Sequence, residues 1–173
     1  MKTKRLGLRN WLPSDLEPFY KMCQDETVMR FFPKKLSEKD TQDFINRMQT
    51  HFKEYGFCYF AVSVLETNEF IGMIGLLNQN FKSDYTPCVD IGWRLKQNSW
   101  GNGYATEGAI ACIDFAFKTL KLKDIFSFAT LNNKGSESIM KKIGMKYIGQ
   151  FQHPKIIDNE KLRDCMVYKI ENK

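Results

Sequence analysis

Histidine is scarce in this chain and its cysteines are scattered. There are two histidines and five cysteines, with no Cys-x-x-Cys among Cys23, Cys58, Cys88, Cys112 and Cys165. That leaves no plausible zinc-ligand set, so no metal is expected. No run of about 18 apolar residues is present that could span a bilayer, so no membrane partner is expected. The opening MKTKRLGLRN lacks the apolar centre of a secretion signal. The expectation is a cytoplasmic chain with reduced thiols. The net charge is +6, yet lysine and arginine are spread along all 173 residues, with no run of five or six basic side chains. That excludes a dedicated nucleic-acid tail and fits a mildly cationic surface that attracts an anionic ligand.

What is present is an ordinary globular composition, 43% hydrophobic with 14 phenylalanines, long enough for one domain over 1–173 with a real core. One stretch, residues 90–120, organises the rest. Residues 90–95 (DIGWRL) read as a strand, Gly101 and Gly103 punctuate a polar turn, and from Ala105 apolar residues recur at helical spacing to Leu120. The glycines therefore stand where a helix begins. There the first amide N–H groups have no partner in the helix, the dipole is positive, and a missing Cβ lets a ligand approach the backbone. The result is an anion site, with phosphate the usual occupant. A nucleotide P-loop is excluded because Tyr104 and Ala105 follow Gly103. The dinucleotide fingerprint is excluded because Gly108 is out of register.

In chain order, residues 4–12 read as a first strand. Ser14-Asp15-Leu16-Glu17 reads as a capping box opening a helix, with Leu16, Phe19, Tyr20 and Cys23 on its buried face. The segment Val28 to Pro33 is too aromatic for an exposed loop; Phe31 and Phe32 either line a cleft or pack between helices. A helix is predicted from about Ser37 to Tyr55 with Gly56 as its C-terminal cap, carrying a lone His51 read as a surface or packing residue. Residues 57–65 and 70–77 form a hairpin, and a polar loop covers 78–87. After the long helix come a strand at 124–131, parallel to the 90–95 strand, a short helix ended by Gly144, and strands at 146–151 and 165–170.

Two elements carry a family resemblance. Asn98-Ser99-Trp100-Gly101-Asn102-Gly103 is similar to the pyrophosphate loop of the GNAT acetyltransferases, with Asn98 replacing the usual Arg or Gln. The run from Trp100 to Glu107 resembles the ribosomal-protein N-terminal acetyltransferase (RimJ/RimL-like) branch. About 30 residues on, Asn133, Ser136, Lys142, Gly144 and Met145 resemble the second GNAT element. Arg5-Leu6-x-Leu8-Arg9 and a tail with Phe151, His153, Pro154, Leu162, Arg163 and Tyr168 extend the likeness over nearly the whole chain.

The resemblance implies an α/β (α+β) domain. A mixed, mostly antiparallel sheet of about seven strands would be flanked by about four helices, with a parallel strand pair splayed at the cofactor site. It implies acetyl transfer from acetyl-CoA to a primary amine, either a protein N-terminus or a small molecule. Cofactor contacts would come from Trp93, Arg94, Leu95, Trp100, Gly101, Asn102, Gly103, Tyr104, Ala105, Thr106, Asn133, Ser136 and Lys142. Asn133 also reads as a helix cap, a role that can coexist with the cofactor contact. Met140 stands where many relatives carry the tyrosine that protonates the leaving thiolate, and methionine cannot. Ser136 takes that role in the N-terminal acetyltransferase branch, or caps its own helix. Asp90 is the candidate general base, one carbon shorter than the usual Glu; otherwise it is a strand carboxylate paired with a nearby Lys or Arg. Glu107, in the first helical turn, is structural. Phe31, Phe32 and His153 belong to the acceptor pocket, built from loops 28–36, 78–87 and 151–163, and His153 also serves as a loop anchor. The rival is a regulatory module that binds acyl-CoA without chemistry. Monomer and homodimer remain open.

Overall fold

A computed structural model describes residues 1–157 and 159–172. The expected loop 151–163 contains Asp158, and the expected domain ends at Lys173; both lie outside the described residues. The strands are β1 (Leu6–Arg9), β2 (Tyr59–Val64), β3 (Phe70–Gln79), β4 (Cys88–Leu95), β5 (Asp124–Thr130), β6 (Lys146–Gln152) and β7 (Asp164–Glu171). They form one sheet in the order β1-β2-β3-β4-β5-β7-β6. All neighbours are antiparallel except β4 and β5. The helices are α1 (Leu16–Met22), α2 (Glu26–Met29), α3 (Glu38–Tyr55), α4 (Tyr104–Lys118), α5 (Lys134–Lys142) and α6 (Glu160–Arg163). The expected four helices are α1, α3, α4 and α5. The additional α2 and α6 are four-residue turns, too short to show a helical period in sequence.

Local chemistry explains most boundaries. Ser37 caps α3 by accepting from the Asp40 N–H at 3.0 Å while the Asp40 carboxylate accepts from the Ser37 N–H at 3.2 Å. Gly56 ends α3 in the left-handed conformation, φ 78°. The expected capping box at Ser14 does not form. Asp15 caps instead, accepting from the Leu12 N–H at 2.8 Å, because it also receives Arg9 at 2.6 and 2.8 Å. An ion pair and a backbone bond together outweigh one hydroxyl cap. Strand β1 is shorter than residues 4–12, because Arg5 turns to bind Glu107 at 2.6 Å and Trp11 drops into the core.

Trp11 anchors an aromatic cluster, with ring centroids 4.8 Å from Phe19, 5.7 Å from Phe44 and 6.0 Å from Phe70. Its indole N–H donates to the Tyr59 carbonyl at 2.6 Å. Burying each such ring is worth about 1.5–3 kcal/mol, and the cluster fixes where β2 sits on α1 and α3. His51 is a packing residue as expected: its Nδ1 lies 2.7 Å from the Phe57 carbonyl and its Nε2 accepts from the Asn78 N–H at 3.2 Å. The polar 78–87 segment hides an anchor, Phe81, buried and stacked at 5.7 Å on Phe151. Among the described residues no helix is long and apolar enough to cross a membrane.

Candidate active site

The parallel pair opens the site. Strands β4 and β5 share a single register pair, Asp90 with Phe126. One further link follows, the Ser127 hydroxyl donating to the Ile91 carbonyl at 2.9 Å. Beyond it the strands part, and Gly92 to Leu95 face Phe128 to Thr130 across a cleft of about 760 Å³. A volume in this range holds a small ligand or a cofactor arm.

One end of the cleft is the start of α4. Gly101 and Gly103 have φ of 77° and 79°, a left-handed conformation that strains other residues. The first α4 backbone bond is Glu107 N–H to Gly103 carbonyl. The amides of Tyr104, Ala105 and Thr106 therefore have no helical acceptor, and Gly103 has no side chain to cap them. Trp93, Arg94, Leu95, Trp100, Gly101, Gly103, Tyr104, Ala105 and Thr106 all line the cleft. Asn102 is not among them; its side chain donates to the Ser99 and Trp100 carbonyls at 3.3 and 3.2 Å. That bond set holds the turn's shape. Glu107 ties the helix start to the N-terminus by accepting from the Thr3 hydroxyl and from the Arg5 N–H, the latter at 2.9 Å. It is the structural residue expected.

Asn133, Ser136, Met140 and Lys142 line the cleft from α5 and the turn before it. The cap of α5 is Asn133, whose Oδ1 accepts from the Ser136 N–H at 3.0 Å. This corrects the reading of Ser136 as the cap: Ser136 stands at the third helical position, where its amide is the capped group. Its hydroxyl makes no hydrogen bond among the described residues.

At the other end, Asp90 is 6% exposed. Among the described residues the expected Lys or Arg partner is absent. Both carboxylate oxygens face the Tyr59 hydroxyl, at 2.8 Å each. The Gln79 amide donates to that hydroxyl at 3.4 Å. Desolvation outweighs these hydrogen bonds and pushes the Asp90 carboxyl up to about 7. Tyr59 reaches Asp90 because β2, β3 and β4 align Tyr59, Gly75 and Gly92 in one row. A Cβ on Gly92 would stand 3.1 Å from the tyrosine ring, and one on Gly75 would stand 2.1 Å from the Cys58 carbonyl. Glycine at 92 leaves room for the ring over β4, and glycine at 75 lets the β2 backbone come close to β3.

Phe31, Phe32 and His153 also line the cleft. His153 is an anchor as well: its Nδ1 accepts from the Lys155 N–H at 3.2 Å, and its ring lies 4.6 Å from Phe81. Burial pulls its pKa down, which keeps that nitrogen an acceptor. Sequence reasoning missed Tyr59 and, although it placed loops 28–36 and 78–87 in the pocket, did not single out Arg30, Gln79 or Phe81. Arg30 sits over the Trp100 ring at 5.6 Å, joining the α2 turn to the glycine turn. None of these carries a local signal, because each is defined by a partner far away in the chain.

The acetyltransferase (GNAT) domain family matches residues 5–146. An uncharacterized N-acetyltransferase of Bacillus subtilis, YnaD, is 30% identical over 151 residues, covering 87% of this chain and 84% of that protein. A GNAT-family acetyltransferase from Bacillus anthracis superposes with a TM-score of 0.81 at 28% identity, covering 99% of this chain and 97% of that one. The spermidine N-acetyltransferase of Vibrio cholerae, solved with CoA and spermine, shares the fold at a TM-score of 0.75 and 18% identity, over 96% of this chain and 95% of that one. With its splayed β4–β5 pair, its open helix start and a family match over most of its length, this chain belongs to the GNAT acetyltransferases.

Proposed function

We propose that the chain transfers an acetyl group from acetyl-CoA to a primary amine within a ternary complex. The observation that carries this is the single cleft that joins the unpartnered amides of Tyr104 to Thr106 to a buried Asp90. Hydrogen bonds from amides to a charged acceptor contribute about 1.5–3 kcal/mol each, more than the ~0.3–2 kcal/mol of the helix dipole. The amides around 101–106 would hold the pyrophosphate, and the β4–β5 gap would take the pantetheine arm beside Asn133. The Vibrio cholerae relative, solved with CoA and an amine, supports this reading. The acceptor nitrogen attacks the thioester carbon, a backbone N–H around 93–95 steadies the oxyanion, and the C–S bond breaks.

Two protons must move. Asp90, with a carboxyl pushed up to about 7, takes the amine proton directly or through a water. The free Ser136 hydroxyl returns a proton to the thiolate. For an α-amine the demand on the base is modest, since roughly a tenth is neutral at pH 7, against about one lysine in 2,500. Positioning then supplies most of the acceleration. The run from Trp100 to Glu107 supports a place in the RimJ/RimL-like branch.

The test is thermal melting with acetyl-CoA, using ATP and NAD as controls. Ligand at 100 times its Kd adds about 2.7 kcal/mol and raises the midpoint by several degrees. Thiol release with an amine panel then separates transfer from mere binding. Binding without any turnover would leave an acyl-CoA-holding module, and no shift at all would reduce the glycine turn to a turn.

A further inference from the structure

Asp90 shares its face of β4 with a second ionisable group. Side chains two apart on a strand project to the same side, so Asp90, Gly92 and Arg94 form one row, with the outer Cα atoms about 13 Å apart. The Tyr59 ring lies between the two charged groups, over Gly92. Arg94 turns to the wall made by α1, α2 and Phe32. Its Nη1 lies 3.6 Å from the Cys23 sulfur and 3.6 Å from the Met29 sulfur. Its Cζ is 3.7 Å from the centre of the Phe32 ring. Two sulfurs and an aromatic face are weak partners for a guanidinium.

No carboxylate among the described residues pairs with Arg94. Its Nε is buried with no hydrogen-bond partner. Charges withdrawn from water are ordinarily paired, because an unpaired one carries its full desolvation cost. Arg94 is thus a cation waiting for an anion at the edge of the reaction cleft. Its side-chain contacts lie on α1, α2 and Phe32 rather than on the glycine turn, so the cofactor contact expected of residue 94 falls to its backbone and the side chain stands apart from the phosphate end. Among the described residues the other charged lining is Arg30, Lys142 and Lys155 against one carboxylate, Asp90.

We infer that Arg94 receives a carboxylate of the acceptor, so that the substrate class is a small primary amine carrying its own carboxylate, such as an amino acid. This rests on the acetyltransferase reading. A planar carboxylate matches the guanidinium fork and offers the charge-assisted bonds the sulfurs cannot. With that end held, the amine of an α-amino acid stays close to its own carboxylate, so its proton reaches Asp90, beyond Tyr59 on the same strand, through water rather than directly. A polyamine fits poorly, because each ammonium group needs an anion and the described lining supplies one. The cationic surroundings also disfavour the ammonium form of any bound amine, which favours the neutral nucleophile.

The experiment compares the common α-amino acids with their carboxamides and with spermidine in a thiol-release assay. It uses the wild type, Arg94→Gln and Arg94→Met. Wild type should favour carboxylates over matched amides by tenfold or more in kcat/KM. Both variants should lose that preference through KM for the carboxylate, with KM for acetyl-CoA and its melting shift retained. The volume-conserving Arg94→Met should melt no lower than wild type, because an unpaired buried charge is gone. Equal use of amides or polyamines by wild type overturns the proposal, as does a preference that survives in the variants or a large loss of stability in Arg94→Met. If nothing turns over, an amino acid must still raise the wild-type midpoint in the presence of CoA, and not that of Arg94→Gln; failure of that arm also overturns it. Absence of an acetyl-CoA shift in wild type is the separate outcome that sinks the underlying activity.

Discussion

The Tyr59 hydroxyl stands 2.8 Å from each oxygen of the Asp90 carboxylate. It is the nearest thing Asp90 has to a counter-charge, and it is neutral. Burial therefore wins over hydrogen bonding, and the carboxyl is pushed from 3.8 up to about 7. A strand carboxylate with a Lys or Arg beside it would have moved the other way.

Asp90→Asn should abolish the acidic limb of the pH–rate profile. In wild type, kcat/KM should rise with pH through about 7, where Asp90 loses its proton, and then level. In the variant the rate should fall by ~10²–10⁴ and follow the titration of the amine alone. For an α-amine that does not need the base, the loss would be smaller.

The same substitution should stabilise the fold in neutral and alkaline solution. The folded carboxyl is raised, so its contribution to stability is complete below about pH 4. It is lost as pH rises through about 7. Above that, holding the charge buried costs on the order of 4 kcal/mol at most. Melting of Asp90→Asn against wild type should show a gain at pH 8 that shrinks toward pH 4.

Tyr59→Phe keeps the ring over Gly92 and removes the hydroxyl. That hydrogen bond favours the ionised form, so the Asp90 pKa should climb further and the acidic limb move to higher pH. Rate profiles of the two proteins on one amine read the shift directly. An unmoved limb would mean that Asp90 is not the titrating group.

The two helix starts should respond differently. Gly103→Ala forces a Cβ onto a φ of 79°, at about 1–2 kcal/mol, and should raise KM for acetyl-CoA. Ser136→Ala should leave the melting midpoint unchanged, because Asn133 is the cap, while lowering kcat. Asn133→Ala should do the reverse first, at ~1 kcal/mol for the lost cap. A midpoint drop in Ser136→Ala would show that the hydroxyl has a structural partner after all.

Much of this protein is local and was readable from its sequence. The glycine turn, the α4 start and the α5 cap depend on residues within a few positions of one another. There, φ preferences and unpartnered amides act through covalent neighbours. The parallel β4–β5 pair followed from the strand–helix–strand pattern, whereas the placing of β7 between β5 and β6 came only with the fold. So did the chemistry of the cleft. Asp90 owes its raised carboxyl to burial by the folded sheet, only partly offset by the hydroxyl of a tyrosine 31 positions away that strand pairing brings over it. Arg94 reads as any basic residue in a strand until folding surrounds it with Cys23, Met29 and Phe32. Desolvation and charge pairing depend on what the whole fold packs against a group, so they are settled only when distant strands come into register.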